Sequence, residues 1–133
     1  MKPLRVLVVE DDALLGFTLG DVLDELGFEV CAIEVTEAGA VSAAARCKPD
    51  LMIVDVRLRG GNGISAVDKM CLASFIPHVF VTGDIAEVKA RRPGAIAIQK
   101  PFKEADLALA IQQALAAADR KREADAAIPT PRQ

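Results

Sequence analysis

Short apolar runs alternate along the chain with segments in which apolar residues recur every three or four positions. The runs at residues 6–9 and 51–54 are apolar throughout, which is typical of strands buried on both faces of a parallel sheet. Within residues 12–26, leucine and valine return at helical spacing, and Gly27 provides a stop. The pattern predicts strands at residues 4–9, 28–35, 50–55, 78–82 and 95–98. It predicts helices at residues 12–26, 37–47, 63–73 and 84–91, and a last helix that follows Phe102 and ends near Ala118.

Five strand–helix repeats of this kind predict an α/β fold. Right-handed crossovers turn them into a doubly wound five-stranded parallel sheet with five helices on its two faces. We predict the strand order 2-1-3-4-5, in which the first and third strands are neighbours and a crevice opens at their carboxyl ends. The domain is predicted to cover residues 1–118. Residues 119–133 are predicted to be a frayed helix end and a disordered tail, because charged residues and prolines replace the apolar pattern there.

Composition narrows the class of protein. The chain has 133 residues, enough for one core, and its formal net charge of −3 argues against non-specific binding to nucleic acid. Three widely spaced cysteines and one histidine do not match a zinc site, so the cysteines are predicted to be buried or half-buried thiols in a reducing compartment. The sequence shows no signal peptide and no apolar run of membrane-spanning length. We therefore predict a cytoplasmic protein without a membrane partner.

Chemically capable side chains follow four of the five predicted strands. They are Glu10, Asp11 and Asp12 after the first strand, Asp55 at the end of the third, Thr82 at the end of the fourth and Lys100 after the fifth. The carboxyl ends of parallel strands meet at one edge of a sheet, so the acids are expected to lie close together. Such a cluster is suited to a hard cation, to the transfer of an anionic group, or to both.

These side chains can be assigned complementary roles. Asp11 and Asp55, with a main-chain carbonyl after Asp55, offer the oxygen ligands that Mg²⁺ takes from proteins. Asp55 can then attack a phosphoryl group, while Lys100 supplies positive charge and Thr82 a hydroxyl donor. Each residue alone has an ordinary structural explanation. Asp12, for example, is more often a helix cap than a ligand, and only the combination in this order indicates function.

The combination resembles the receiver domain of two-component response regulators over residues 4–118. The matching parts of the chain are residues 8–12, Asp55, Thr82 and residues 100–102. The resemblance implies a flavodoxin-like receiver fold. It also implies that Asp55 accepts a phosphoryl group from a sensor histidine kinase or a phosphotransfer protein.

The same resemblance implies a ligand set for a magnesium cofactor. Mg²⁺ would be bound by Asp11, Asp55 and the main-chain carbonyl of Arg57, with Glu10 acting through water. The hydroxyl and the lysine at the later strand ends would sense the phosphoryl group.

Two features distinguish this sequence from common receivers. Residues 80–84 resemble the F-A-T-G-x signature of the alphaproteobacterial FAT GUY receivers. Ala97 stands three residues before Lys100, where typical receivers carry Tyr or Phe, and the chain contains no Tyr. The familiar aromatic switch is therefore excluded, and residues 84–94 are predicted to be the segment whose main chain moves.

Arg57 and Asp84 form a second hypothesis, because they lie two residues beyond Asp55 and Thr82. We hypothesise that they pair across the mouth of the site and limit the water that hydrolyses a phosphoryl-aspartate. The alternative is two separately solvated charges, since exposed ion pairs are usually weak.

The predicted function is that of a single-domain response regulator, with no enzymatic activity beyond its own phosphorylation and dephosphorylation. It is expected to signal by protein contact or to act as a phosphate sink, as a monomer or weak homodimer. The predicted downstream partner face is residues 84–118. One alternative is a pseudo-receiver, a binding module that is never phosphorylated. Another is a metal-dependent phosphatase with an aspartyl nucleophile, which often needs an acid where this chain has Arg57.

Overall fold

A computed structural model of the chain describes residues 2–127 and shows strands and helices in regular alternation. The strands are β1 (Arg5–Val9), β2 (Glu29–Glu34), β3 (Leu51–Asp55), β4 (Arg57–Leu58), β5 (Gly61–Asn62), β6 (His78–Thr82) and β7 (Ala97–Gln99). The helices are α1 (Ala13–Glu25), α2 (Glu37–Cys47), α3 (Gly63–Met70), α4 (Ile85–Arg91) and α5 (Glu104–Ala127).

The main sheet has five parallel strands in the order β2-β1-β3-β6-β7. This confirms the predicted fold and strand order, since β4 and β5 belong to a separate two-stranded hairpin. The register pairs Val9 with Val54, Asp55 with Val81 and Thr82 with Gln99. The polar residues that follow these strands therefore meet at one edge of the sheet.

The core lies on both faces of the sheet, as the fully apolar strands require. Side chains alternate along a strand, so β3 sends Met52 and Val54 to one face and Leu51 and Ile53 to the other. The first face packs against α2 and α3, and the second against α1 and α5. Burial on two faces explains why no polar residue interrupts β3 before Asp55.

Several helices begin with a side-chain cap directly after a strand. Asp12 caps α1, as predicted, by accepting from the amides of Leu14 and Leu15, and Thr36 caps α2 by accepting from the Gly39 amide. Asn62 and Asp84 cap α3 and α4 in the same way. These caps place the amino ends of four helices at the edge of the sheet where the strands have their carboxyl ends. We call it the carboxylate edge.

The ends of three elements differ from the prediction. Helix α5 continues to Ala127, beyond Ala118, after which the sequence predicts a frayed helix end; Ala118 is the last buried residue of its apolar face. Beyond it, Asp119 pairs with Arg122, and charged residues and alanines sustain an exposed helix. The rest of the segment predicted as frayed helix end and tail, residues 128–133, lies outside the described residues.

Helix α3 ends at Met70 rather than residue 73, and β7 covers 97–99 rather than 95–98. Strand β7 begins where β6 offers partners, since Ala97 pairs with Phe80 and Gln99 with Thr82. Residues 56–62, predicted as a loop, contain the β4–β5 hairpin. The cysteines are free and buried or half-buried, in agreement with the sequence.

Candidate functional site

Two buried carboxylates and one lysine form the centre of the carboxylate edge. Glu10 is 1% exposed and Asp55 is 6% exposed, although both are acidic. The Lys100 ammonium nitrogen lies 2.9 Å from Glu10 Oε1 and 2.8 Å from Asp55 Oδ2. Buried charges require partners of opposite charge, and Lys100 serves both acids at once. Strand β7 makes this possible, because it delivers Lys100 to the edge where β1 and β3 end.

Asp11 adds a third acid to the cluster. One carboxylate oxygen from each of Glu10, Asp11 and Asp55 lies within 4.8 Å of the other two. Oxygen donors at this separation fit a hard divalent cation such as Mg²⁺, so the predicted acidic ligands do come together. The Arg57 carbonyl stays a predicted ligand. The Arg57 amide donates to Asp55 Oδ1 at 3.2 Å and so helps to orient the carboxylate.

Burial and hydrogen bonding set the protonation of this cluster. The pKa of Glu10 is raised to about 7, mainly by burial and also by the neighbouring Asp55, against the lowering effect of the Asp12 amide and Lys100. Burial alone would lower the pKa of Lys100, but its bonds to Asp55 and Glu10 outweigh burial and the pKa is raised. Near neutral pH, Glu10 is therefore partly protonated unless more positive charge enters the site.

Thr82 ends β6 beside this cluster and is 2% exposed. Its hydroxyl oxygen accepts from the Asp84 amide at 3.0 Å, and its carbonyl accepts from the Lys100 amide at 2.7 Å. The second bond ties the ends of β6 and β7 together. The peptide bond from Lys100 to Pro101 is cis. The structure thus gathers Glu10, Asp11, Asp55, Thr82 and Lys100, all predicted site residues, at one edge.

The hypothesised ion pair between Arg57 and Asp84 is wrong for the residues that the structure describes. The Arg57 guanidinium, on an 80% exposed side chain, lies 3.8 Å from Glu87 instead. Asp84 Oδ1 accepts from the Glu87 amide and caps α4. A cap at the first turn of a helix is worth more than an exposed ion pair, which accounts for the difference. The link from the Asp55 loop to α4 therefore runs through Glu87.

Two residues near the site were missed by sequence reasoning. A Cβ on Gly63 would lie 2.0 Å from the Asp55 carbonyl oxygen, so only glycine allows α3 to begin this close to Asp55. Glu37 of α2 accepts from the Asn62 amide, at 3.0 Å, and from the Ser65 hydroxyl, at 2.8 Å. It also pairs with Lys69, whose hydrogen bond is the main reason that the pKa of Glu37 is lowered to about 2. Nothing in their local sequence marks these long-range contacts.

Comparison with known proteins identifies the group to which this site belongs. A family described as "Response regulator receiver domain" matches residues 6–112. The transcriptional regulatory protein PdtaR of Mycobacterium tuberculosis is 39% identical over 122 residues, which cover 85% of this chain and 57% of PdtaR. The phyllosphere-induced regulator PhyR of Methylorubrum extorquens is 32% identical over 115 residues, covering 84% of this chain and 43% of PhyR. The chain thus spans about half the length of these curated relatives.

Comparison of the fold with solved structures leads to the same family. The solution structure of the Erythrobacter litoralis PhyR response regulator REC domain superposes with a TM-score of 0.80 and 31% identity, covering 86% of this chain and 92% of that one. Within residues 2–127, no helix combines the length and apolar character needed to cross a membrane. From the family match, the strand order and the strand-end residues, we conclude that the chain belongs to the response regulator receiver family of two-component systems.

Proposed function

We propose that Asp55 accepts a phosphoryl group from a histidine kinase or phosphotransfer protein in a Mg²⁺-dependent reaction, and that this event carries a two-component signal. The observation that carries the proposal is the contact of one lysine with two buried acids. The Lys100 ammonium nitrogen lies 2.8 Å from Asp55 Oδ2, in a cluster of three carboxylates, Glu10, Asp11 and Asp55, that exceeds its one cation by two. Structural ion pairs are normally balanced, and an excess of buried acid suits a site that receives further positive charge.

The reaction forms a bond between a carboxylate oxygen of Asp55 and phosphorus, and breaks the phosphorus–nitrogen bond of a phosphohistidine. The histidine nitrogen keeps the electron pair of the broken bond and leaves as imidazole. Lys100 offers positive charge to the phosphoryl oxygens, and the Thr82 hydroxyl can donate to one of them. Glu10, Asp11 and Asp55 are the side chains that would hold Mg²⁺, which supplies charge to offset the repulsion between carboxylates and phosphoryl group.

An apolar patch beside the site suits contact with a protein donor. Leu14 and Phe17, in the first turns of α1, are 76% and 68% exposed. They lie three residues apart and hence on one face of the helix, next to the Asp12 cap at the carboxylate edge. Exposed apolar side chains grouped near a site are typical of interaction surfaces. We place the phosphodonor protein on this patch, and the downstream partner on residues 84–118.

The phosphoacceptor is tested by intact-mass measurement. The protein is incubated with Mg²⁺ and acetyl phosphate beside Asp55→Asn, and beside Asp24→Asn as a control that removes an exposed carboxylate of α1. We expect one phosphoryl adduct on wild type and on D24N, and none on D55N or in a magnesium-free reaction. An adduct on D55N would show another acceptor. Failure of wild type with acetyl phosphate and with a panel of purified kinases would instead support a pseudo-receiver.

A further inference from the structure

Gln99 ties the loop after Thr82 to the strand that delivers Lys100. Its side-chain nitrogen donates to the Gly83 carbonyl at 2.5 Å, and its side-chain oxygen accepts from the Ile85 amide at 3.0 Å. One primary amide thus satisfies a carbonyl and an N–H of the same short connection between β6 and α4. Gln99 is exposed, so burial of the side chain does not explain these bonds.

The place of these bonds follows from where the sheet ends. Thr82 and Gln99 are the last paired residues of β6 and β7, and the Lys100 amide donates to the Thr82 carbonyl. The pairing of β6 with β7 ends with these two residues. The Gln99 side chain supplies both a donor and an acceptor and extends the pairing by one step.

The first of these bonds acts on the Thr82 hydroxyl through one peptide group. The Gly83 carbonyl and the Asp84 N–H belong to the same planar peptide. The Gln99 side chain donates to the Gly83 carbonyl oxygen of this peptide, while the Asp84 N–H of the same peptide donates to Thr82 Oγ1 at 3.0 Å. Because the peptide is planar, holding the oxygen fixes the direction of the N–H. Thr82 Oγ1 then serves as the acceptor, and its own proton remains available to another oxygen.

Gly83 makes this restraint necessary. Glycine restricts the rotation of its neighbouring peptides less than other residues do, and a Cβ built here meets no atom of the described residues within 4 Å. If the peptide turned over, the Gly83 carbonyl would face the Thr82 hydroxyl and could accept its proton. The hydroxyl would then be occupied when a phosphoryl oxygen needed it.

We propose that Gln99 is a positioning residue for phosphoryl transfer to Asp55, because it holds the Gly83–Asp84 peptide in the orientation that leaves the Thr82 hydroxyl free to donate. This inference rests on the proposed function. It assigns to Gln99 no contact with the phosphoryl group, only control over what Thr82 can offer to it.

The test compares Gln99→Met with Gln112→Met, which alters an exposed glutamine of α5. We expect Q99M to take up phosphate from acetyl phosphate and Mg²⁺ about fivefold more slowly than wild type, a change equal to the net contribution of one hydrogen bond. Q112M should match wild type in rate and in melting temperature, whereas Q99M, which loses two hydrogen bonds of an exposed side chain, should unfold at a slightly lower temperature. Hydrogen exchange at the Ile85 amide should be faster in Q99M alone.

Two further variants separate this role from a general structural one. In a Thr82→Ala background, Q99M should have no additional effect, since the hydroxyl that Gln99 controls is gone. Gly83→Ala should restore part of the rate to Q99M, because alanine restricts rotation of the peptide and its Cβ has room. A rate in Q99M equal to wild type, or an equal loss with and without Thr82, would overturn the role of Gln99 alone. Failure of wild type to accept phosphate would overturn the proposed function and this inference with it.

Discussion

Gly63 shows how closely single residues are fitted around the candidate phosphoacceptor. A Cβ at this position would lie 2.0 Å from the Asp55 carbonyl oxygen and 2.9 Å from its carbonyl carbon, both of which are main-chain atoms. Main-chain atoms of a buried strand cannot yield as the end of a flexible side chain can. The start of α3 and the end of β3 therefore depend on each other.

Gly63→Ala is expected to lower the free energy of unfolding by about 2–3 kcal/mol, the usual cost of overpacking. Urea unfolding measures this change, with Gly94→Ala as control, because a Cβ on Gly94 meets no described atom within 4 Å. G63A should also slow phosphorylation of Asp55, whose carbonyl must shift. Equal stability of the two variants would contradict the close contact.

Glu10 should give the protein a characteristic dependence of stability on pH. Its pKa is raised from 4.5 to about 7, mainly by burial, so the folded state binds more protons than the unfolded state between these values. In magnesium-free buffer, the contribution of Glu10 to stability is therefore present below about pH 4.5 and lost as the pH rises through 7.

Glu10→Gln removes this titration. Relative to E10Q, wild type should lose roughly 1–3 kcal/mol of unfolding free energy between pH 4.5 and 8. Chemical denaturation at several pH values measures the difference, and Glu25→Gln, at an exposed acid of α1, provides the matched control. Parallel pH profiles for wild type and E10Q would show that burial does not perturb Glu10.

Side chains that follow buried strands are predictable from the sequence, whereas residues whose role depends on long-range main-chain contacts are not. Asp55 and Lys100 could be found because each follows an apolar strand, and parallel topology alone brings such residues together. Gly63 and Gln99 could not be found, because their importance lies in contacts with main-chain atoms distant in sequence. The wrong partner for Arg57 has the same origin, since spacing does not reveal that Asp84 is used as a helix cap.

At the scale of elements, the β4–β5 hairpin depends on one side chain of α2. Glu37 accepts from the Asn62 amide and the Ser65 hydroxyl and pairs with Lys69, so it joins the hairpin and α3 to α2. A Cβ on Gly61 would collide with Glu37, at 2.5 Å, which shows how closely the two elements approach. The loop that begins after Asp55 is thereby held at its far end.

Glu37→Gln should weaken this link at neutral pH, when the carboxylate is charged. The pKa of Glu37 is lowered from 4.5 to about 2, chiefly by Lys69, so its stabilising contribution is present above pH 4.5 and lost as the pH falls toward 2. E37Q should therefore be less stable than wild type at pH 7 and approach it at pH 2. Urea unfolding across this range measures the effect, and Glu29→Gln, at an exposed acid, should change little. A constant difference at all pH values would contradict the assignment.

Regular elements were predictable where their packing leaves a pattern in the sequence. The five strands of the main sheet and the face of α5 up to Ala118 carry apolar residues at the period that burial demands. The β4–β5 hairpin and the exposed end of α5 carry no such pattern, because neither is held by an apolar face. Their stability comes from a polar contact in one case and from helix propensity in the other.

At the scale of the whole molecule, the sheet separates two sets of exposed apolar residues. Leu14 and Phe17 stand on α1 near the carboxylate edge, whereas Leu72 and Phe75 follow α3 near the opposite edge, where β6 begins. All are large and partly or largely exposed, so exposure alone does not distinguish them. The two sets differ in position instead: α1 begins at the end of the sheet where Asp55 lies, and residues 72–75 precede β6 at the opposite end.

Phe17→Ala is expected to reduce phosphotransfer from a protein donor about tenfold, as the loss of a central apolar contact in a protein interface typically does. It should leave the rate with acetyl phosphate unchanged, because Phe17 takes no part in the chemistry at Asp55. Both rates are measured with radiolabelled donors, the protein donor being any histidine kinase or phosphotransfer protein that labels wild type.

Leu72→Ala is the matched control, since Leu72 is 83% exposed but lies at the other edge of the sheet. If F17A and L72A slow protein-dependent transfer equally, the effect is one of general stability and not of docking. If F17A lowers the rate with both donors, α1 supports the geometry of the Asp11–Asp55 cluster rather than the partner. A loss confined to F17A and to the protein donor would place the incoming phosphohistidine over the edge where Asp55, Thr82 and Lys100 meet, because only that approach brings the donor to both α1 and the acceptor carboxylate.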